Sequence, residues 1–104
     1  MIVCKFGGTS VADAEAIART ASIIAGRRER QPVVVVSALG GATNMLLRIA
    51  EQSAKGQLIG ALSAVEALRD RHLKQTEALL HHDKSVSADI SGELSAMFDE
   101  LAAL

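Results

Sequence analysis

Aromatic residues are almost missing from this chain. Its 104 residues include no tryptophan and no tyrosine, and only two phenylalanines, Phe6 and Phe98. Nucleic-acid bases therefore have no platform to stack on. The 11 basic and 12 acidic residues are mixed along the chain, so no cationic stripe can follow a phosphate backbone. Nucleic acid is not expected as a partner. The single cysteine, Cys4, excludes an intrachain disulfide and fits a reducing compartment. Inside an apolar run it reads as a small buried side chain rather than a reactive thiol. No apolar run approaches the ~20 residues needed to span a bilayer. The apolar start meets Lys5 and two glycines at once, so no signal peptide is expected. A soluble, cytoplasmic protein without membrane partners is the expectation.

What the chain has in quantity is small and branched apolar residues: 49% of it is hydrophobic, mostly Ala, Leu, Ile and Val. That bias fits one helix-rich domain of α/β type. Two strand-like runs each end in a Gly-Gly pair flanked by hydroxyl residues. The first is Ile2-Val3-Cys4-Lys5-Phe6-Gly7-Gly8-Thr9-Ser10, and the second runs from Val33 to Val36 and on through Ser37-Ala38-Leu39-Gly40-Gly41-Ala42-Thr43-Asn44. They lie about thirty residues apart, the size of one βαβ unit. Four consecutive valines without alternation predict burial on both faces of a parallel sheet. A parallel crossover puts both Gly-Gly turns at the same carboxyl-terminal edge, where open α/β sheets bind ligands.

Between the strands, the pattern from Val11 to Arg28 is helical, with Ile17, Ala21 and Ile24 on one face and Asp13 suited to the first turn. Gly26 and the run Arg27 to Arg30 close it, and Pro32 blocks its continuation. Met45 to Ala54 also reads as helix, interrupted by Gly56. A long amphipathic stretch follows from Leu58 to Leu80, with an apolar stripe at Leu58, Leu62, Val65, Leu68 or Arg69, Leu73 and Leu79-Leu80. A polar connector, His81 to Asp89, offers Ser85 and Ser87 as caps. The last segment carries Ile90, Leu94, Met97, Phe98, Leu101 and Leu104 at helical spacing, which predicts a helical hairpin. The organisation is thus a βαβ core over residues 1–44 and a helical portion over 45–104. With two strands and an apolar stripe reaching the last residue, the chain reads as the front portion of a larger domain, the alternative being a compact stand-alone domain with a third, unrecognised strand.

Glycine turns bring backbone N–H groups close to a ligand, and Lys5 stands immediately before one of them. A lysine buried at a strand end needs a negative partner, so a phosphate held by the turn is the functional reading. The alternative is a lysine that snorkels into water. The order differs from G-x-x-x-x-G-K-[ST] and from G-x-G-x-x-G. Ser37, Gly40, Gly41, Thr43 and Asn44 suit a small polar substrate; alternatively, Thr43 is only an N-cap and Ser37 only ends a strand. His72, His81 and His82 read as surface residues rather than a metal site, and no metal ligand is assigned.

Lys5-Phe6-Gly7-Gly8-Thr9-Ser10-Val11, followed by Val35-Val36-Ser37-Ala38-Leu39-Gly40-Gly41-Ala42-Thr43-Asn44, resembles the N-terminal part of aspartate kinases, members of the amino acid kinase family. The resemblance implies a three-layer αβα domain, of which this chain would be the front. It implies phosphoryl transfer from Mg-ATP to the β-carboxylate of L-aspartate. The product, 4-phospho-L-aspartate, begins lysine, threonine and methionine biosynthesis. By the same resemblance Lys5 is catalytic; Lys5, Phe6, Gly7, Gly8, Thr9 and Ser10 bind ATP phosphates; Ser37, Gly41, Thr43 and Asn44 bind aspartate. Magnesium arrives through the phosphates. The family's G-E-x-x-S motif, its adenine-binding strands and its regulatory domains are not found in these residues, so the chain alone is expected to turn over little or no substrate. The alternatives are a kinase for glutamate, N-acetylglutamate, carbamate or a nucleotide, against which the Ser37–Asn44 run argues, and a non-catalytic, self-associating homo-oligomer.

Overall fold

A computed structural model describes all 104 residues. Along the chain it forms β1 (Ile2–Phe6), a 3-10 turn (Gly8–Val11), α1 (Ala14–Ala25), a second 3-10 turn (Arg28–Arg30) and β2 (Pro32–Val36). Three helices follow: α2 (Ala42–Ala54), α3 (Leu58–Leu80) and α4 (Lys84–Ala103). The chain is helix-rich α/β and separates into two compact units, Met1–Gly41 and Ala42–Leu104.

In the first unit β1 and β2 pair in parallel, in register from Ile2 opposite Pro32 to Phe6 opposite Val36. The Ser37 N–H donates to the Phe6 carbonyl at 3.0 Å and carries the pairing one residue further. Because side chains alternate, Val3, Lys5, Val33 and Val35 share one face, and Ile2, Cys4, Phe6, Val34 and Val36 share the other. The expected burial of the valines on both faces is not found. Val33 to Val36 are all exposed, Val36 by 56%, and Val3 by 69%. The expectation of a buried Lys5 fails with it, since this lysine is exposed too. Two strands and one crossover helix cannot cover two faces of a sheet.

α1 starts at Ala14 rather than Val11, because residues 8–11 are taken up by the 3-10 turn. Asp13 is its N-cap, accepting from the Ala16 N–H at 2.9 Å, and Glu15 takes the first-turn place expected of Asp13. Gly26 closes α1, its N–H on the Ser22 carbonyl at 3.1 Å. The buried face is Ala16 and Thr20, flanked by half-buried Ile17 and Ile24, while Ala21 is exposed.

In the second unit α2 starts three residues before Met45, at Ala42. It ends in a Schellman motif, with the Gln57 N–H on the Gln52 carbonyl and the Gly56 N–H on the Ser53 carbonyl. The expected helical hairpin is α3 and α4, but the connector is much shorter than residues 81–89. Asp83 caps α4 by accepting from the Val86 N–H at 3.1 Å, and Ser85 and Ser87 fall inside the helix. Asp binds an N-cap amide as well as Ser does and comes earlier in the chain.

The buried line of α3 is Ala61, Val65, Leu68 and Thr76; Leu58 and Leu62 stay exposed. Small Ala61 occupies a core position that the expected stripe gave to leucines. On α4 only Phe98 is fully buried, with Leu94 and Leu101 half-buried and Ile90, Met97 and Leu104 exposed. Arg69 ties the two helices together. Its Nη1 donates to the Ser95 carbonyl at 3.1 Å, its Nη2 to Asp99 Oδ1 at 2.8 Å, and its guanidinium lies 5.7 Å from the Phe98 ring centre. Glu66 Oε2 sits 3.2 Å from Nε, an ion pair without hydrogen-bond alignment. The hydrogen bond to Asp99, against the opposing effect of burial, holds Arg69 above its ordinary value. Any stability linked to that shift is present below the ordinary arginine range and lost only at extreme alkaline pH.

His72 is not a surface residue. It is half-buried, edge-on to Phe98 at 5.2 Å, with Nδ1 2.8 Å from the Leu68 carbonyl. A carbonyl only accepts, so Nδ1 carries the proton.

Leu68 is 1% exposed, and Leu68→Ala should cost about 2–4 kcal/mol in urea unfolding followed by far-UV circular dichroism. Arg69→Ala should lower the melting temperature more than Lys55→Ala, which breaks only the exposed pair with Glu51; equal shifts would show that the Arg69 contacts hold nothing.

Candidate active site at the strand ends

Parallel pairing in register makes the chain leave both strands at one edge of the sheet. At the end of β1 the chain turns at once into residues 8–11, closed by the Ser10 N–H on the Gly7 carbonyl at 3.0 Å. The leading amides of such a turn have no acceptor inside it, so those of Gly8 and Thr9 remain available as donors. Gly7 is extended, at φ −77° and ψ −177°, a conformation open to any residue. A methyl group placed on it would meet nothing within 4 Å. The fold therefore has no need of glycine at this position, and the space beside it is open. A methyl on Gly8 would stand 3.9 Å from Ser37 Oγ, which puts the Ser37 hydroxyl beside the first turn.

The second pair of glycines serves a different purpose. Gly41 has φ 78°, the left-handed region that side chains resist. At Gly40 an added Cβ would lie 3.2 Å from Ala12 Cβ and 3.3 Å from Ala12 Cα. This turn is seated directly on the segment that follows the first turn. From the sequence, both pairs are expected as places of ligand approach; the structure shows Gly40 used for packing and Gly41 for its backbone angle.

Among the expected phosphate-binding residues, Lys5 and Thr9 are exposed, and Lys5 forms no ion pair. Phe6 is half-buried and contributes its carbonyl to Ser37, while Ser10 is half-buried. Among the expected substrate residues, Ser37 is exposed beside Gly8. Thr43 and Asn44 lie in the first turn of α2, in the other unit, with both side chains exposed. Thr43 is already inside the helix, so it is not the N-cap that its alternative reading supposed. Two residues that sequence reasoning missed support the site. Ala12 is the seat of Gly40, and Thr20, buried in α1, donates to the Ser10 carbonyl at 2.7 Å. The available signal was a threonine on the apolar face of a helix.

Open amides, an unpaired lysine and a hydroxyl now stand at one sheet edge. The sequence model described as the amino acid kinase family matches residues 1–103. The chain belongs to the amino acid kinase family. Aspartokinase 1, chloroplastic, from Arabidopsis thaliana is 35% identical over 105 residues, covering 96% of this chain and 18% of that protein. An aspartokinase from Chlamydia trachomatis serovar D is 42% identical over 71 residues, covering 68% of this chain and 15% of its own length. The lysine-sensitive aspartokinase 3 of Escherichia coli K12 is 39% identical over 69 residues, 66% of this chain and 15% of that protein. This member of the amino acid kinase family thus spans less than a fifth of the length of these relatives. No helix in it is long and apolar enough to cross a membrane.

The two kinds of glycine should separate experimentally. Gly7→Ala should leave stability within about 0.5 kcal/mol or raise it slightly, since it removes only unfolded-state freedom. Gly40→Ala should cost about 1–3 kcal/mol by crowding Ala12, and Ala12→Gly in the same chain should recover part of that loss. Urea unfolding of the four proteins checks both; equal costs at positions 7 and 40 would refute the distinction.

Proposed function

We propose that this chain supplies the phosphate-binding turn and part of the amino-acid site of an aspartate kinase. The reaction moves the γ-phosphoryl group of ATP to the β-carboxylate of L-aspartate, giving an acyl phosphate. The reading is carried by one observation: the parallel register sets the open, amide-bearing turn at Gly7–Thr9 beside Ser37 at one edge, and leaves Lys5 without a carboxylate partner. Free amides and an unpaired ammonium fit a polyphosphate.

Phosphoryl transfer needs in-line positioning and charge neutralisation more than covalent help from protein. In this reading Lys5 balances charge on the transferring group, and the Gly8 and Thr9 amides hold phosphate oxygens. Gly7 keeps the approach clear. Ser37, with Gly41, contributes to holding aspartate, a role that the resemblance gives to Thr43 and Asn44 as well. The attacking carboxylate is ionised at neutral pH, so no general base is required. Magnesium enters bound to the phosphates and is assigned no ligand in this chain. Support for aspartate over other acceptors comes from the Ser37–Asn44 run and from the names of the relatives.

Lys5→Ala should weaken Mg-ATP binding about fivefold in calorimetric titration, the worth of one charge pair in water, with a melting curve that overlays the parent's, because the side chain is exposed and unpaired. Unchanged affinity would remove Lys5 from its role. Hydroxylamine trapping of an aspartyl phosphate tests the acceptor, with little turnover expected from these 104 residues alone. A second reading, self-association, is favoured by the exposed valines of the sheet. Sedimentation showing only monomer at high concentration would dispose of it.

A further inference from the structure

Two threonines are buried in the helices of this chain, and they use their hydroxyls differently. Thr76, 7% exposed on α3, donates to the His72 carbonyl at 2.9 Å, four residues back in its own helix. That is the usual outlet for a helical threonine and links nothing beyond the helix. Thr20, 5% exposed on α1, instead donates to the Ser10 carbonyl at 2.7 Å, outside its helix and inside the 3-10 turn. Ser10 also closes that turn through its N–H on the Gly7 carbonyl, so both of its backbone groups are committed, one to the turn and one to α1. Val11, the last residue of the turn, is buried as well. The far end of the turn is thereby fixed, while the leading amides at Gly8 and Thr9 stay free.

We infer that Thr20 is a positioning residue for the phosphate turn, acting through the Ser10 carbonyl to aim the Gly8 and Thr9 amides. The inference rests on the phosphate-binding reading of that turn. A short turn of this kind makes few bonds of its own, and its first amides gain nothing from internal pairing. Their direction is set by whatever holds the other end. Thr20 supplies that hold from a rigid helix, so the donors are arranged before the ligand arrives rather than at the expense of its binding. Thr20 touches no substrate in this arrangement; it works on the geometry of groups that do.

The test compares the full 15N-labelled chain with its Thr20→Val, Thr20→Ser and Thr76→Val variants, titrated with Mg-ATP and followed at the amides of residues 7–11. The parent should show saturable shifts at Gly7, Gly8 and Thr9. Thr20→Val, which keeps the shape and removes the donor, should weaken affinity about five- to tenfold, the net worth of one hydrogen bond. It should also speed amide exchange in residues 8–11. Thr20→Ser should restore both, and Thr76→Val should change neither. If Thr20→Val does not fold, Thr20→Ala carries the same expectation. An unaltered affinity in the variant lacking the hydroxyl overturns the proposal, even where the turn loosens, because Thr20 would then be structural only. So does a serine variant as weak as the valine one. No shift at all in the parent brings down the phosphate reading and this inference together, whereas parental binding with an indifferent Thr20→Val brings down the inference alone.

Discussion

Parallel pairing of β1 with β2 is the constraint on which the candidate site depends. An antiparallel pair would send the two glycine turns to opposite ends of the sheet. Parallel pairing in register, from Ile2 opposite Pro32 to Phe6 opposite Val36, sends them to the same end with no offset. The bond from the Ser37 N–H to the Phe6 carbonyl then continues the ladder past the last strand residue. This bond fixes Ser37 against the start of the first turn, so its hydroxyl comes beside Gly8. A slip of one residue would reverse the face of every side chain on the strand and carry Ser37 away from Gly8. The alternation of Val3 and Lys5 with Ile2, Cys4 and Phe6 is therefore part of the site as well as of the sheet.

The second constraint is a shared seat. Residues 10–12 receive Thr20 from α1 at the Ser10 carbonyl and Gly40 from the other turn at Ala12. Both turns are thus referenced to one short piece of backbone. The first turn makes few bonds of its own, and the tie from Thr20 of α1 holds its far end. The four glycines divide accordingly. Gly40 is required by a neighbour, Gly41 by its backbone angle, and Gly7 and Gly8 by neither. Glycine at a position where the fold has no use for it needs another reason. Room for a ligand at open amides is the one the proposed reaction supplies.

The elements were legible in the sequence wherever a strong local signal stood alone. The valine run with Pro32 before it marked β2. Gly26 marked the end of α1, and the periodicity marked α3 over Leu58–Leu80. Places where two residues competed for one role were not legible. Asp83 capped α4 in place of Ser85 or Ser87, and Asp13 capped α1 where a first-turn role was expected. The buried line of α3 was misread because small Ala61 packs where helices come close and longer leucines do not. For the site, the glycine pairs announced the turns, but the function of each glycine depends on residues distant in sequence. Ala12 makes Gly40 obligatory, and nothing local to Gly40 says so. Thr20 was hidden for the same reason: its partner lies in the turn before its own helix.

The exposed valines and the exposed lysine are one fact rather than two. Lys5 shares its face with Val3, Val33 and Val35, so the water that wets the valines also screens the ammonium. Two unit charges 4 Å apart attract by about 1 kcal/mol in water and by about 4 kcal/mol at an effective dielectric of 20. On an open face, Lys5 can therefore contribute only weakly to holding phosphate. Covering the valines would displace that water, strengthen the lysine's hold on an anion and at the same time make an unpaired ammonium expensive. Apolar residues around a single lysine thus couple the two events. In the proposed reading, burial of the sheet face would favour phosphate at Lys5, and phosphate there would remove the main electrostatic cost of burying that face.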